Sequence, residues 1–200
     1  MTMTFQNDTA KLTRSNGGDT MIEFREFPKI ARLNRDVVVT EKIDGTNACV
    51  YVGEDGVVLS GSRSRWITPE ADNFGFARWV ADHTEDLRAL GVGYHYGEWW
   101  GQGIQRRYGL NEKRFSLFNV HRWADDAVRP ACCHVVPELW RGIIRGFELG
   151  EALKRLRVEG SVAAPGFMKP EGIVIFHTAA SQLFKVTLEK DDAPKGIAAE

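Results

Sequence analysis

No run of this sequence approaches the ~20 consecutive apolar residues that a membrane-spanning helix needs. Neither sign of charge dominates: 26 Lys and Arg oppose 27 Asp and Glu, for a net charge of −1. A membrane anchor of that kind and a strong overall pull on polyanions are both set aside. Cysteine is scarce, with only Cys49, Cys132 and Cys133. That odd number without regular spacing excludes a disulfide framework and fits a reducing compartment, here taken as the cytoplasm. "CCHVV" puts two thiols beside His134 but lacks the second ligand pair of a zinc site. Internal repeats and coiled-coil heptads are missing too.

What is present describes an ordinary globular chain. Hydrophobic residues make up 43% of 200, enough for one domain with its own core. Residues 1–20 are polar, lack the apolar centre of a secretory signal and contain a Gly-Gly turn; they are expected to form a flexible leader. The domain is expected over residues 21–190, with residues 191–200, "DDAPKGIAAE", as a tail or linker stub. Ile22 to Leu33 has a proline in its middle and reads as an extended arm.

"VVVTEKIDGTNACVYV", Val37 to Val52, reads as two strands around a turn, and Glu54-Asp55-Gly56 marks a second turn between alternating apolar residues. Phe76, Trp79, Val80, His83, Leu87 and Leu90 recur at helical spacing, with Gly91 as a stop. "VGYHYGEWWGQG" and "RFSLFNVHRW" have the aromatic and β-branched content of strands. Pro137 to Gly160 reads as a second helical region, broken near Gly146 to Gly150. "EGIVIFHT" and "QLFKVTLE" look like closing strands. The expected class is α+β: mainly antiparallel sheets with flanking helices.

Lys42 stands out because it interrupts an apolar strand beside Glu41 and Asp44. A lysine with an ordinary pKa near 10.4 is neutral in only about one molecule in a thousand at pH 7. Nucleophilic use requires desolvation or a nearby cation. Glu41 and Asp44 act in the opposite sense, although on a strand Glu41 and Lys42 face opposite sides. Gly45 permits a phosphate or a backbone to come close. Arg63 and Lys185 are candidates for an anion's partners; Glu98 and Glu171, each beside a glycine, are candidates for a metal ion or ribose hydroxyls. Taken singly, each has a plainer reading as turn or surface.

Taken together, these segments resemble the covalent nucleotidyltransferase superfamily: ATP-dependent DNA and RNA ligases and messenger RNA capping enzymes. The likeness is greatest to RNA ligases of the phage nick-sealing type. "EKIDGTN" resembles the nucleotidyl-lysine signature, with Lys42 as nucleophile. "SGSRSRWITPEADNFG" resembles the next segment, with Arg63 in register. "YGEWWGQGIQRRYG" resembles the RNA-ligase form of the third motif and "RFSLFNV" the segment that carries the base-stacking aromatic. "PEGIVIF" and "LFKVT" resemble the last two. They follow in family order from Lys42 to Lys185.

The resemblance implies a nucleotide-binding cleft in an ATP-grasp-like fold and a three-step reaction. Lys42 attacks the α-phosphate of ATP and carries AMP as a phosphoramidate. AMP passes to a 5′-phosphate end. A 3′-hydroxyl then attacks and the ends join, in an RNA nick within a duplex. The nucleotide site would comprise Glu41, Lys42, Ile43, Asn47, Arg63, Glu98, Phe118, Glu171 and Lys185. Among these, Lys42, Lys185 and Arg63 act in catalysis. Glu98 meets the ribose, Phe118 stacks on adenine, Asn47 supports a phosphate, and Glu171 holds Mg²⁺ (or Mn²⁺) through water. A monomer is expected.

Three departures separate the chain from that pattern. Thr187 stands where the nick-sealing relatives have a second lysine. Asp44 is the DNA-ligase residue where the nearest RNA-ligase pattern often has histidine. Only a short segment follows the last motif, where relatives carry a further domain. A DNA ligase, a GTP-dependent capping-type guanylyltransferase and a non-sealing module that binds nucleotides or polynucleotide ends remain alternatives. Trp99 and Trp100 either cover a base or pack in the core. Arg106 and Arg107 are candidate phosphate contacts, and His95 and His121 are expected as strand or core residues.

Overall fold

The computed structural model describes residues 13–14, 20–21, 24 and 26–189. The expected leader falls mostly, and the expected tail wholly, outside the described residues. The chain forms two compact units, residues 1–31 and 32–200. In the first, β1 (Thr13–Arg14) pairs antiparallel with β2 (Thr20–Met21). Its residues 26–31 are exposed and without regular secondary structure, as expected around Pro28.

The second unit holds two sheets. Its strands are β3 (Asp36–Lys42), β4 (Thr46–Val52), β5 (Val58–Gly61), β6 (Trp66–Ile67), β7 (Gly93–Gly101), β8 (Lys113–Leu117), β9 (Cys133–Val135), β10 (Glu138–Ile143), β11 (Gly172–His177) and β12 (Gln182–Thr187). A four-stranded sheet runs β10-β3-β11-β12 and a six-stranded sheet β6-β5-β4-β7-β8-β9. Every pairing is antiparallel except β8 with β9. This is the expected α+β class.

The lysine turn is not a hairpin. β3 and β4 flank only Ile43, Asp44 and Gly45, yet each pairs in a different sheet. The reason lies in the strand faces. Val37 and Val39 pack with Leu156 and Ile173 on one side of β3, while Val38 packs with Ile43, Trp100 and Tyr108 on the other. β3 is thus buried on both faces, whereas Ala48, Val50 and Val52 of β4 enter a separate core with Phe76, Trp99 and Phe115. Gly45 makes the crossing possible: a Cβ there would lie 2.5 Å from the Trp99 carbonyl oxygen and 2.7 Å from the Trp100 Cβ. The close approach that glycine permits is therefore to the backbone of β7.

Other expectations are met or redrawn. The Glu54-Asp55-Gly56 turn joins β4 to β5, with Val52 opposite Val58. The long helix is divided into α1 (Phe76–Asp82) and α2 (Thr84–Leu87) between single 3-10 turns. The Asp72 carboxylate accepts the backbone N–H groups of Asn73, Ala77 and Arg78 and so caps the start of α1. "RFSLFNVHRW" is strand only to Leu117; Val120–Trp123 is a short helix, α3, which leaves His121 exposed. His95 is buried on β7, as expected. The start of the second helical region is a strand: β10 pairs with β3, and helix α4 covers only Leu149–Glu159. A register shift between Glu138 and Trp140 breaks the alternation that would have marked it. Trp99 and Trp100 are core residues, bonded through their indole N–H to the Phe74 carbonyl and the Ser116 hydroxyl.

Candidate active site

The β3–β4 crossing opens a cleft of about 1910 Å³ between the two sheets. One wall is the four-stranded sheet. Its cleft face follows from register: Lys42 lies opposite Gly172 and Thr40 opposite Val174, with Lys185 opposite Val174 on the far side. The other wall is the six-stranded sheet, where Asn47 of β4 lies opposite Glu98 of β7. Glu41, Lys42, Ile43, Asn47, Arg63, Glu98, Phe118 and Lys185 all border this one cleft. Thr40, Val174 and Thr187 border it as well; two-residue steps from Lys42 and Lys185 would have found Thr40 and Thr187 in the sequence.

Lys42 and Glu171 are 129 residues apart, yet the Lys42 Nζ donates to the Glu171 Oε2 at 2.6 Å. The β3–β11 register explains this, since Glu171 immediately precedes Gly172. That glycine is needed: a Cβ on it would fall 2.1 Å from the Val186 carbonyl oxygen of β12. Both charged side chains are largely shielded, at 22% and 16% exposed. The pair holds the amine at the junction of the two walls.

Glu98 is buried and faces the same junction. Its carboxylate accepts the Gly45 backbone N–H at 3.0 Å and the Asn47 side-chain amide at 3.2 Å. Burial pushes its carboxyl up to about 7, against the pull of Lys42 and those two donors; the Glu171 charge raises it further. Asn47 thus orients Glu98 in this state. Phe118 follows β8, is 41% exposed and borders the cleft. Arg63 lies in the β5–β6 loop and Lys185 on the edge strand β12. Both are exposed at the cleft, and neither makes an ion pair among the described residues. Two cations are therefore available to an anion without breaking an existing pair.

Glu41 differs from its neighbours. Its carboxylate points away from Lys42, accepting the Ser161 hydroxyl at 2.6 Å and the backbone N–H groups of Val162 and Ala163 at 2.8 and 2.9 Å. Burial raises its carboxyl above the ordinary value, and these three donors counter the shift. Its side chain anchors the loop after α4, so only the Glu41 backbone is left to face the cleft. Arg106 is likewise occupied: it bonds Asp44 at 3.0 Å and the Lys169 carbonyl at 3.1 Å. The Tyr108 hydroxyl accepts the Asp44 backbone N–H at 2.8 Å. Asp44, Arg106 and Tyr108 form a bracket that fixes the turn. In the sequence Arg106 stood out only as a candidate phosphate contact, and this bracket was missed although both Arg106 and Tyr108 lie in "YGEWWGQGIQRRYG".

No cluster of three His, Cys, Asp or Glu side chains suited to a metal occurs among the described residues. Glu98 lines the cleft, and Glu171, which does not line it, meets the Lys42 amine at its edge, so two carboxylates bring hard oxygen donors to the amine. Such a set fits a divalent ion that arrives with phosphate oxygens and keeps most of its waters, as magnesium does.

Comparison with known proteins now decides the family. A family model described as RNA ligase matches residues 35–187. The chain belongs to the RNA ligase family. Solved structures of Naegleria gruberi RNA ligase share the fold. A mutant of it with ATP and Mn aligns at TM-score 0.58 and 20% identity, covering 80% of this chain and 52% of that one. A mutant with AMP and Mn aligns at 0.58 and 19%, covering 78% and 50%. The form with PPi aligns at 0.56 and 21%, covering 80% and 53%. This RNA ligase family member spans about half the length of those structures. No curated protein sequence matches it.

Proposed function

We propose that the protein is an ATP-dependent RNA ligase, or the adenylyltransferase part of one, that carries AMP on Lys42. One observation carries the reading: a single shielded lysine amine stands where the two walls meet, within 2.6 Å of Glu171, beside a buried carboxylate and two unpaired cations. Family membership and the ATP, AMP and PPi of the solved relatives support it.

The chemistry assigns a task to each group. Lys42 Nζ forms a bond to the α-phosphorus as the bond from that phosphorus to the bridging oxygen of pyrophosphate breaks; the amine loses its protons in the exchange. Displacement of Lys42 from Glu171 frees the amine for attack and the carboxylate for another cation. Lys185 and Arg63 place positive charge where negative charge gathers on the phosphates. Glu98 accepts from ribose hydroxyls, and Phe118 offers a face to adenine, a contact worth ~1–3 kcal/mol. Glu171 would hold a hydrated Mg²⁺ or Mn²⁺ through water; such an ion supplies charge neutralisation and helps depress the amine's pKa. Transfer of AMP to a 5′-phosphate, then attack by a 3′-hydroxyl, completes the joining of RNA ends, for which a duplex nick is the first substrate to try. The protein acts as a monomer in the cytoplasm, a placement favoured by three free thiols.

The test is direct. Protein incubated with ATP or GTP labelled at the α-phosphate, plus magnesium, should acquire label from ATP. The label should be absent from Lys42→Ala. Label from GTP alone would point to a guanylyltransferase, and no label from either would leave a binding module. Labelled protein that joins DNA nicks but no RNA would make it a DNA ligase.

A further inference from the structure

The six-stranded wall carries more exposed aromatic surface than one nucleotide uses. Tyr51 and Tyr94 are register partners on β4 and β7, with ring centroids 4.7 Å apart. Tyr94 and Tyr96 project from the same side of β7 in nearly parallel planes, 9° apart with centroids at 6.1 Å. Trp66 of β6 stacks beside Tyr94 at 6.1 Å and 23°. Trp66, Tyr94 and Tyr96 are 49%, 57% and 58% exposed. Residues of this type with half their surface in water mark a contact face when they adjoin one another.

Three further facts select the occupant. The row is continuous with the nucleotide cleft: Phe118 donates its backbone N–H to the Tyr96 carbonyl, and Tyr94 and Tyr96 border the same cleft as Lys42. Its outer end adjoins Arg63 and Arg65 on the β5–β6 loop, both exposed and neither in an ion pair among the described residues. The rings are flat and carry polar edges, which suits bases more than aliphatic side chains.

We infer that Trp66, Tyr94 and Tyr96, with Tyr51 behind them, form a platform for unpaired nucleobases of the RNA whose end is activated at Lys42. Arg65, exposed beside Trp66, meets its phosphates. This rests on the ligase reading and narrows its substrate: ends that carry unpaired bases bind better than a fully paired nick. Stacking of this kind is tolerant of sequence because every base offers a π-face.

The experiment is fluorescence anisotropy with a dye-labelled, 5′-phosphorylated single-stranded RNA of ~10 nucleotides, within the usual range of such sites. The wild-type chain is compared with Trp66→Ala/Tyr94→Ala and Trp66→Phe/Tyr94→Phe, after thermal melts confirm folding. The alanine pair should bind at least ~5-fold more weakly, the least that loss of one stacked base implies, and the phenylalanine pair should keep most of the affinity. An abasic strand should bind the wild type as weakly as the alanine pair binds RNA, and lose little more on that pair. Equal affinity of wild type and alanine pair, or of RNA and abasic strand, overturns the platform. Labelling of Lys42 by ATP is measured in parallel. Label with unchanged RNA binding sinks the platform and leaves the ligase reading; base-dependent binding without label sinks the ligase reading and keeps the platform.

Discussion

The two walls of the cleft are both built from largely antiparallel strands, but they present different chemistry. The four-stranded wall offers Lys42 and Lys185 among Thr40, Val174 and Thr187. The six-stranded wall offers Asn47, Glu98, Phe118 and a row of exposed rings. The lysines of the first wall suit phosphate, joined by Arg63 from the β5–β6 loop of the second, while the carboxylate and aromatic faces of the second suit sugar and base. The division follows from the β3–β4 crossing, which gives Lys42 to one sheet and Asn47 to the other across only four residues. A nucleotide must bridge the walls to be used, so the reacting amine sits at their junction.

Substitutions on each wall test that division. The largest effect is expected at the junction: Lys42→Ala should abolish transfer of label from α-labelled ATP, measured on denaturing gels, while the protein stays folded. On the cationic wall, Lys185→Ala should slow labelling by ~10²–10³, the usual cost of one donor to a developing anion; single-turnover rates measure it, and an unchanged rate would assign the phosphate to other groups.

Glu98 on the opposite wall gives a stability signature. Its folded-state pKa is raised to about 7, so the folded chain keeps a proton that the unfolded chain has released above pH 4.5. Stability must therefore fall as pH rises from about 4.5 to about 7, by ~3 kcal/mol for this shift. Glu98→Gln should remove that slope. Asn47 can turn its amide to suit the new side chain, so the variant should be the more stable one at pH 8 but not at pH 4. Urea melts at the two pH values check this, and the same variant should lose ATP labelling. Smallest is Phe118→Ala, which should weaken ATP binding by ~1–3 kcal/mol and leave the labelling rate at saturating ATP nearly unchanged. A fall in that rate instead would move Phe118 from base binding to positioning of the phosphate.

Much of the site could be read from the sequence because its groups lie in short segments of distinctive composition. "EKIDGTN", "GEWWGQGIQ", "PEGIVIF" and "LFKVT" each supply a residue that the fold brings to one cleft. What could not be read is long-range. Nothing local pairs Lys42 with Glu171, a contact set by strand register across 129 residues. The hairpin reading of the lysine turn failed because β3 and β4 have different sheet partners, and partners are chosen by distant strands. The helical reading of 137–143 failed because Trp140, Ile143, Ile144 and Phe147 also satisfy a helical period, while a bulge hides the strand's alternation. The resemblance places Glu41 in the nucleotide site, and it borders the cleft. The two-residue period of the strand turns its carboxylate to the opposite face, where three donors from the loop after α4 hold it.

The central claim is that Lys42 becomes covalently adenylylated, and locating the adduct tests it most directly. The protein is incubated with ATP and magnesium, digested near neutral pH to spare the phosphoramidate, and sequenced by tandem mass spectrometry. The account predicts one adenylyl group on the peptide containing Lys42, with fragment ions that place it on that side chain. An adenylyl group on any other residue, or intact Lys42 peptide alone after exhaustive incubation, would contradict it.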